Sequence, residues 1–209
     1  MGGWNTCSPQ QRFVDVSDGK RGLCVINEGL REYEVSEDES RTIYVTLMRA
    51  YEIALSTVAW RWERHPEMGL SQCPGEHEFT YAVMPHAGRW DDAMVQSEAE
   101  KLNLPMTVAQ VGRHGGSLPK SWGLLRLDPG DLVMSSLKRA EEDGDLIVRI
   151  FNPTEERVEG SLEFSLPIAQ VVRTDMEEKP IRELDIYGGS IDLVLDPKKV
   201  ETLKIGMGR

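Results

Sequence analysis

At 209 residues and a hydrophobic fraction of 40%, the chain is long enough for one large all-β domain or two small ones, and apolar enough to bury a core. A net charge of −11 argues against a nucleic-acid partner, because phosphate binding depends on clustered Lys and Arg. No window approaches the roughly 18 consecutive apolar residues of a membrane span, and MGGWNTCSPQ has neither a basic nor an apolar leader region, so no membrane partner is expected.

Acidic residues concentrate at 37–39 and 141–145 and read as solvated surface. Cys7, Cys24 and Cys73 form no C-x-x-C pair, and their odd number leaves at least one thiol unpaired. A reducing compartment, the cytoplasm, is the simpler inference. These cysteines also lack the count and spacing of a zinc site. Residues 1–10 read as a tag or disordered lead.

In chain order, Phe13, Val14 and Val16 are strand formers, Ser17-Asp18-Gly19 is a turn, residues 23–26 are a second apolar run, and Asn27-Glu28-Gly29 turns again. Residues 41–48, RTIYVTLM, continue the meander with alternation at Ile43, Val45 and Leu47. Residues 51–68 fit neither period and are expected as a long loop. Trp60 and Trp62 flank Arg61 there, either as a platform for sugar rings or as a core plug. The stretch 72–90, QCPGEHEFTYAVMPHAGRW, reads as one committed strand over 78–84, entered by a Pro-Gly turn and stopped at Pro85.

Residues 90–104, WDDAMVQSEAEKLNL, have an acidic first turn and apolar residues Met94, Val95, Ala99 and Leu102 at helical spacing. The helix ends before Pro105, with its apolar stripe on the sheet. From Thr107 the pattern is β to the end: VAQVGRHGG, WGLLRLDPG, DLVMSSLKRAEEDG, DLIVRIFNP, VEGSLEFSLP, AQVVRTD, IDLVLDP and VETLKIGM, separated by Gly, Pro, Asp and Asn turns. A small second β subdomain is expected from about 144. There is no Rossmann glycine pattern, P-loop or H-E-x-x-H.

Six stretches, taken together, resemble the C-terminal region of glycoside hydrolase family 38, the α-mannosidases and mannosylglycerate hydrolases. They are FVDVSDGKRGLCVINEGLREYEV, TIYVTLMRA, CPGEHEFTYAVMPHAG, the helix at 90–104, LVMSSLKRAEEDGDLIVRIFNPT and VETLKI, in the family's order over about 11–205. The resemblance implies a mainly β chain, an antiparallel β-sandwich of the galactose mutarotase-like supersandwich type, with one α-helix near 90–104. It also implies a parent enzyme with an N-terminal catalytic barrel that holds a zinc ion, a nucleophilic Asp and an acid/base Asp, and that hydrolyses α-mannosidic bonds with retention.

That machinery is not expected here. His65, His77, His86 and His114 are dispersed and no barrel converges them, so the chain is expected to hold no catalytic residue and no metal, and to be inactive alone. By the resemblance, Arg49 matches an arginine that ends the corresponding family strand near the mannose pocket; there it would bind a sugar hydroxyl or orient a carboxylate, or else form a surface or interdomain salt bridge. Gln72, Glu76 and His77 lie on the turn before the central strand, as sugar-binding groups or as a loop tether. His86 and His114 read as satisfied histidines beside turns, and Ser117 has no evident base.

The leading expectation is therefore a non-catalytic module that completes a mannose site and supports a barrel, with an exposed apolar patch where that partner docks. The alternatives are a free-standing carbohydrate-binding domain using Trp60, Trp62, Trp90 or Trp122, and an oligomerisation module.

Overall fold

The computed structural model describes residues 7–51 and 66–208. The chain divides into two compact units, Met1–Met106 and Thr107–Arg209; residue 144 lies inside the second. Among the described residues no helix is long and apolar enough to cross a membrane.

The first unit runs β1 (Ser8–Pro9), β2 (Phe13–Ser17), β3 (Arg21–Asn27), β4 (Glu32–Val35), β5 (Ile43–Val45), a 3-10 helix (Pro66–Gln72), β6 (Tyr81–Ala87) and α1 (Val95–Asn103). These make two antiparallel three-stranded sheets, ordered β1-β4-β5 and β2-β3-β6. Of the lead set aside at 1–10, residues 1–6 lie outside the described residues, while Ser8–Pro9 pair with β4. The loop expected at 51–68, with Trp60 and Trp62, falls largely outside them as well.

The β2–β3 hairpin closes on Asp18, whose Oδ1 accepts from the amides of Lys20 at 2.8 Å and Arg21 at 2.9 Å. Gly19 supplies the positive φ of 81° that this turn needs. Residues two apart share a sheet face. Phe13, Cys24, Ile26, Ala82 and Met84 line one face of β2-β3-β6, and α1 covers it with Val95 and Ala99. Trp90 joins the same cluster and lies 5.9 Å from Phe13, centroid to centroid. The opposite face leaves Leu23, Tyr81 and Val83 exposed.

Two boundaries differ from the sequence expectation. The central strand is Tyr81–Ala87 rather than 78–84, and Pro85 sits inside it, opposite Leu23. Its position explains the tolerance: β6 is an edge strand, and the Gly88 amide donates to Lys20 O, so even-numbered amides face β3 and residue 85 faces the open edge, where a missing N–H costs nothing. The helix begins at Val95 instead of Trp90. Met94 adopts φ 53° and is exposed, and Asp92 Oδ2 accepts from the Arg89 amide at 3.0 Å, so the acidic pair closes the preceding turn.

The second unit contains β7 (Leu125–Asp128), β8 (Val133–Arg139), β9 (Leu146–Phe151), β10 (Val158–Phe164), β11 (Ile168–Thr174), β12 (Pro180–Leu184), β13 (Ser190–Leu195) and β14 (Val200–Met207). A three-stranded sheet, β13-β10-β7, and a five-stranded sheet, β12-β11-β14-β9-β8, are antiparallel throughout. Leu162, Ile191, Leu193 and Leu195 from the first meet Val148, Ile150, Val171, Leu203 and Ile205 from the second in one core. That is a β-sandwich. A Cβ at Gly160 would lie 2.2 Å from the carbonyl oxygen of Asp128, so only glycine lets β10 approach β7 here.

Buried Asn152 knots one end of the sandwich. Its Nδ2 donates to Glu156 O and Leu195 O, and its Oδ1 accepts from the Thr154 amide at 2.9 Å and hydroxyl at 2.8 Å. The strand expected from VAQVGRHGG is absent: residues 105–123 carry no regular structure.

Candidate functional site

Arg49 ends the segment that follows β5, and its Nε lies 2.7 Å from Glu32 Oε2 on β4. The carboxylate oxygen is shut off from solvent and has no aligned hydrogen bond, so the guanidinium is its compensating charge. The arginine side chain is 62% exposed. With Nε held against Glu32, the Nη edge carries the remaining donors of the planar fork. Residues 29–32 and 46–49 enclose an open cavity of about 240 Å³ with Arg49 and Glu32 on its wall.

The turn at 72–77 comes to this same segment. The Tyr51 amide donates to Ser71 O at 3.2 Å, the Ser71 hydroxyl donates to Tyr51 O, and the Cys73 thiol meets Arg49 O at 3.8 Å. Backbone contacts thus bring Arg49 and the 72–77 turn together, although they are more than twenty residues apart. His77 closes the turn by donating from Nε2 to Cys73 O at 2.8 Å and stacks on Phe79 at 6.2 Å. That bond lies within the turn and reaches no neighbouring strand. Gln72 and Glu76 are exposed on the same turn.

Sequence reasoning did not find Glu32, because β4 carries a charged-aromatic alternation, EYEV, without the β-branched run that marks a strand. It also left aside a buried pair beneath the hairpin. His86 Nε2 donates to Asp15 Oδ2 at 2.6 Å, with side chains only 3% and 7% exposed. Asp15 and Gly22 sit on neighbouring strands, and a Cβ at Gly22 would lie 2.3 Å from His86 Cε1. The glycine therefore makes room for the imidazole. Its place inside a strand pattern was the available signal, since such a glycine marks close approach of other groups. His86 is a satisfied histidine, inside β6 rather than beside a turn. Next to it, burial first and the Asp15 charge second push the Cys24 thiol up to about 12.

The other singled-out residues do not converge. His114 Nδ1 meets Gly115 O at 3.0 Å on an exposed stretch. Trp90 is a core residue, and Trp122 is partly exposed. Among the described residues no three His, Cys, Asp or Glu side chains cluster in a way that could hold a metal ion, and His65 lies outside the described residues. All three cysteines are free.

Comparison with known proteins finds similarity over most of the chain. Residues 131–203, which hold nearly the whole five-stranded sheet together with β10 and β13, match the glycosyl hydrolases family 38 C-terminal beta sandwich domain. Over that stretch the chain resembles the C-terminal β-sandwich domain of glycoside hydrolase family 38. It is 29% identical to a putative mannosylglycerate hydrolase of Halalkalibacterium halodurans over 93% of its own length and 20% of that protein's. It is also 29% identical to alpha-mannosidase 2C1 of Homo sapiens, over 92% of this chain and 17% of the relative. The crystal structure of an alpha-mannosidase from Enterococcus faecalis V583 superposes on 95% of the chain with a TM-score of 0.77 at 29% identity, using 21% of that chain. The sequence thus spans about a fifth of the length of these relatives.

Proposed function

We propose that this chain is the non-catalytic β-sandwich part of a zinc-dependent, retaining α-mannosidase, packed against a catalytic barrel and lending Arg49 to its mannose site. The observation that carries the reading is the Arg49–Glu32 pair on the wall of the cavity formed by residues 29–32 and 46–49, with the 72–77 turn held to the same segment by backbone contacts. A guanidinium anchored at Nε by a shielded carboxylate presents a pre-oriented set of N–H donors, the device by which an arginine binds vicinal hydroxyls or steadies a carboxylate. Gln72 and Glu76 add exposed hydrogen-bonding groups on the adjoining turn.

The nucleophile, the proton donor and the zinc ligands belong, on this reading, to residues outside the 209 described by the sequence. Retaining hydrolysis needs two carboxylates about 5–5.5 Å apart on rigid elements, together with the metal that family members resemble one another in holding. What this chain supplies is binding and support. Three unpaired thiols, one of them deeply buried, are consistent with a reducing cytoplasm.

The test uses the longer protein encoded by the full reading frame. It is expected to hydrolyse an aryl α-mannoside, and Arg49→Ala is expected to lower kcat/KM by about tenfold or more, the scale of one lost charge-assisted hydrogen bond. Unchanged kcat/KM in Arg49→Ala would remove Arg49 from the site. Turnover by the purified 209-residue chain alone would overturn the non-catalytic assignment.

A further inference from the structure

Residues 105–123, PMTVAQVGRHGGSLPKSWG, carry strand chemistry without a strand. Met106, Val108 and Val111 fall in a β-branched run that is apolar on both faces of an extended chain, the pattern of a strand covered on two sides. In the structure the same residues are bare: Met106 is 93% exposed, Val108 91%, and Val111 and Leu118 each 69%. No backbone hydrogen bond among the described residues involves 105–123. A nineteen-residue stretch with no backbone hydrogen bond to another described residue and with exposed apolar side chains is uncommon in a compact protein unless something else covers it.

Charge narrows the occupant. The stretch holds Arg113 and Lys120 and no acidic residue, in a chain of net charge −11. Its complement is an apolar surface with acidic groups. The matched region occupies about a fifth of the relatives' length, so a family 38 chain has four times as much again of its own sequence from which to supply that surface. Unpaired amides in an extended segment are satisfied most directly by lying along another chain, as in strand addition to a sheet edge.

We propose that residues 105–123 form a docking arm, covered on both faces by the catalytic portion of a longer family 38 chain. The proposal rests on the reading given under Proposed function and adds to it the contact surface. Arg49 and the 72–77 turn would contribute to the sugar site, while this arm would contribute to attachment.

Hydrogen exchange read by mass spectrometry tests it, comparing the 209-residue protein with the longer protein from the full reading frame. Amides of 108–116 are expected to exchange freely in the former and at least about tenfold more slowly in the latter. The double variant Val108→Asp/Val111→Asp should leave the melting temperature of the 209-residue protein unchanged, since both side chains are exposed there, and should abolish the protection in the longer one.

If the longer protein cleaves mannosides but 108–116 exchange as fast as in the 209-residue protein, the arm is overturned and the enzyme reading stands. Protection without turnover upholds the arm and overturns the enzyme reading. A reading frame with no further sequence overturns both. Protection in the 209-residue protein that rises with its concentration assigns the arm to a second copy and overturns the proposal as stated.

Discussion

At the scale of single residues, the arrangement most dependent on one atom is the packing of His86 over Gly22. The imidazole is pinned by Asp15 at 2.6 Å, so it cannot swing aside when a methyl group appears 2.3 Å away. Gly22→Ala is therefore expected to destabilise the fold by about 2 kcal/mol, the usual scale of overpacking. His86→Ala removes one partner of a buried pair and leaves the Asp15 carboxylate without its donor, at a cost of about 3 kcal/mol. The two effects share one cause, so the double variant should be less damaged than the sum by about 1 kcal/mol or more. Urea unfolding of the four proteins measures this. Strict additivity would mean that Gly22 and His86 do not meet.

The same scale shows why the site was half legible. Arg49 was identified by resemblance, and the turn residues by their place before the central strand and by types that suit hydrogen bonding. Their partners were not visible, because Glu32 and Cys73 become neighbours of Arg49 only through β4 pairing and backbone closure. His86 looked like a residue after a proline stop. It reads differently once Pro85 is placed on an edge, since the strand then continues and carries His86 inward.

At the scale of elements, alternation located most strands to within a few residues: Ile191, Leu193 and Leu195 point inward along β13 as their spacing demands. Where the pattern was weak, as in EYEV of β4 or PIREL of β12, pairing with a neighbour made the strand and the sequence did not announce it. The turn joining β8 and β9 is held by charge instead. Lys138 bonds Glu141 and Glu178, and Lys204 bonds Asp143. The Lys204 hydrogen bond holds the Asp143 carboxyl below its ordinary value, and that of Lys138 does the same for Glu178; in turn Glu141 first and Glu178 second raise Lys138, and Asp143 raises Lys204.

Depressed carboxylates stabilise above the ordinary carboxylate range and lose that contribution as pH falls through their folded values. Raised lysines stabilise below the ordinary lysine range and lose it as pH rises through theirs. Stability lent by this clamp should therefore be flat between roughly pH 5 and pH 9 and decline on both sides. Melting temperatures of the wild type and of Lys204→Met, taken across pH, check it: the gap between them should narrow below about pH 4 and in high salt. A gap that widens on acidification would contradict the clamp.

At the scale of the molecule, two separate cores were harder to foresee than their strands, because each core is assembled from pairings of high sequence separation, such as β14 with β9 and β3 with β6. The division near 106 coincides with the bare stretch 105–123. Periodicity marked part of that stretch as a strand, since nothing in a sequence distinguishes a segment that pairs within its chain from one whose partner lies elsewhere.

Exposed, unpaired backbone is also where proteases cut first. Brief trypsin treatment of the native 209-residue protein should cleave after Arg113 or Lys120 before any site within β7–β14. The fragment beginning at Ser121 keeps all eight strands and every residue of the larger core, so it should retain a β-type circular dichroism spectrum and a cooperative thermal transition. Among the described residues the companion fragment buries Cys24, Ile26, Val95 and Ala99 in its cluster, a smaller core than the sandwich's, and should unfold at a lower temperature. Mass spectrometry of the first products, followed by melting of each purified fragment, decides the matter. First cuts inside the sandwich would show that 105–123 is protected by contacts of its own, and a structureless Ser121 fragment would show that the sandwich core needs the first unit in order to fold.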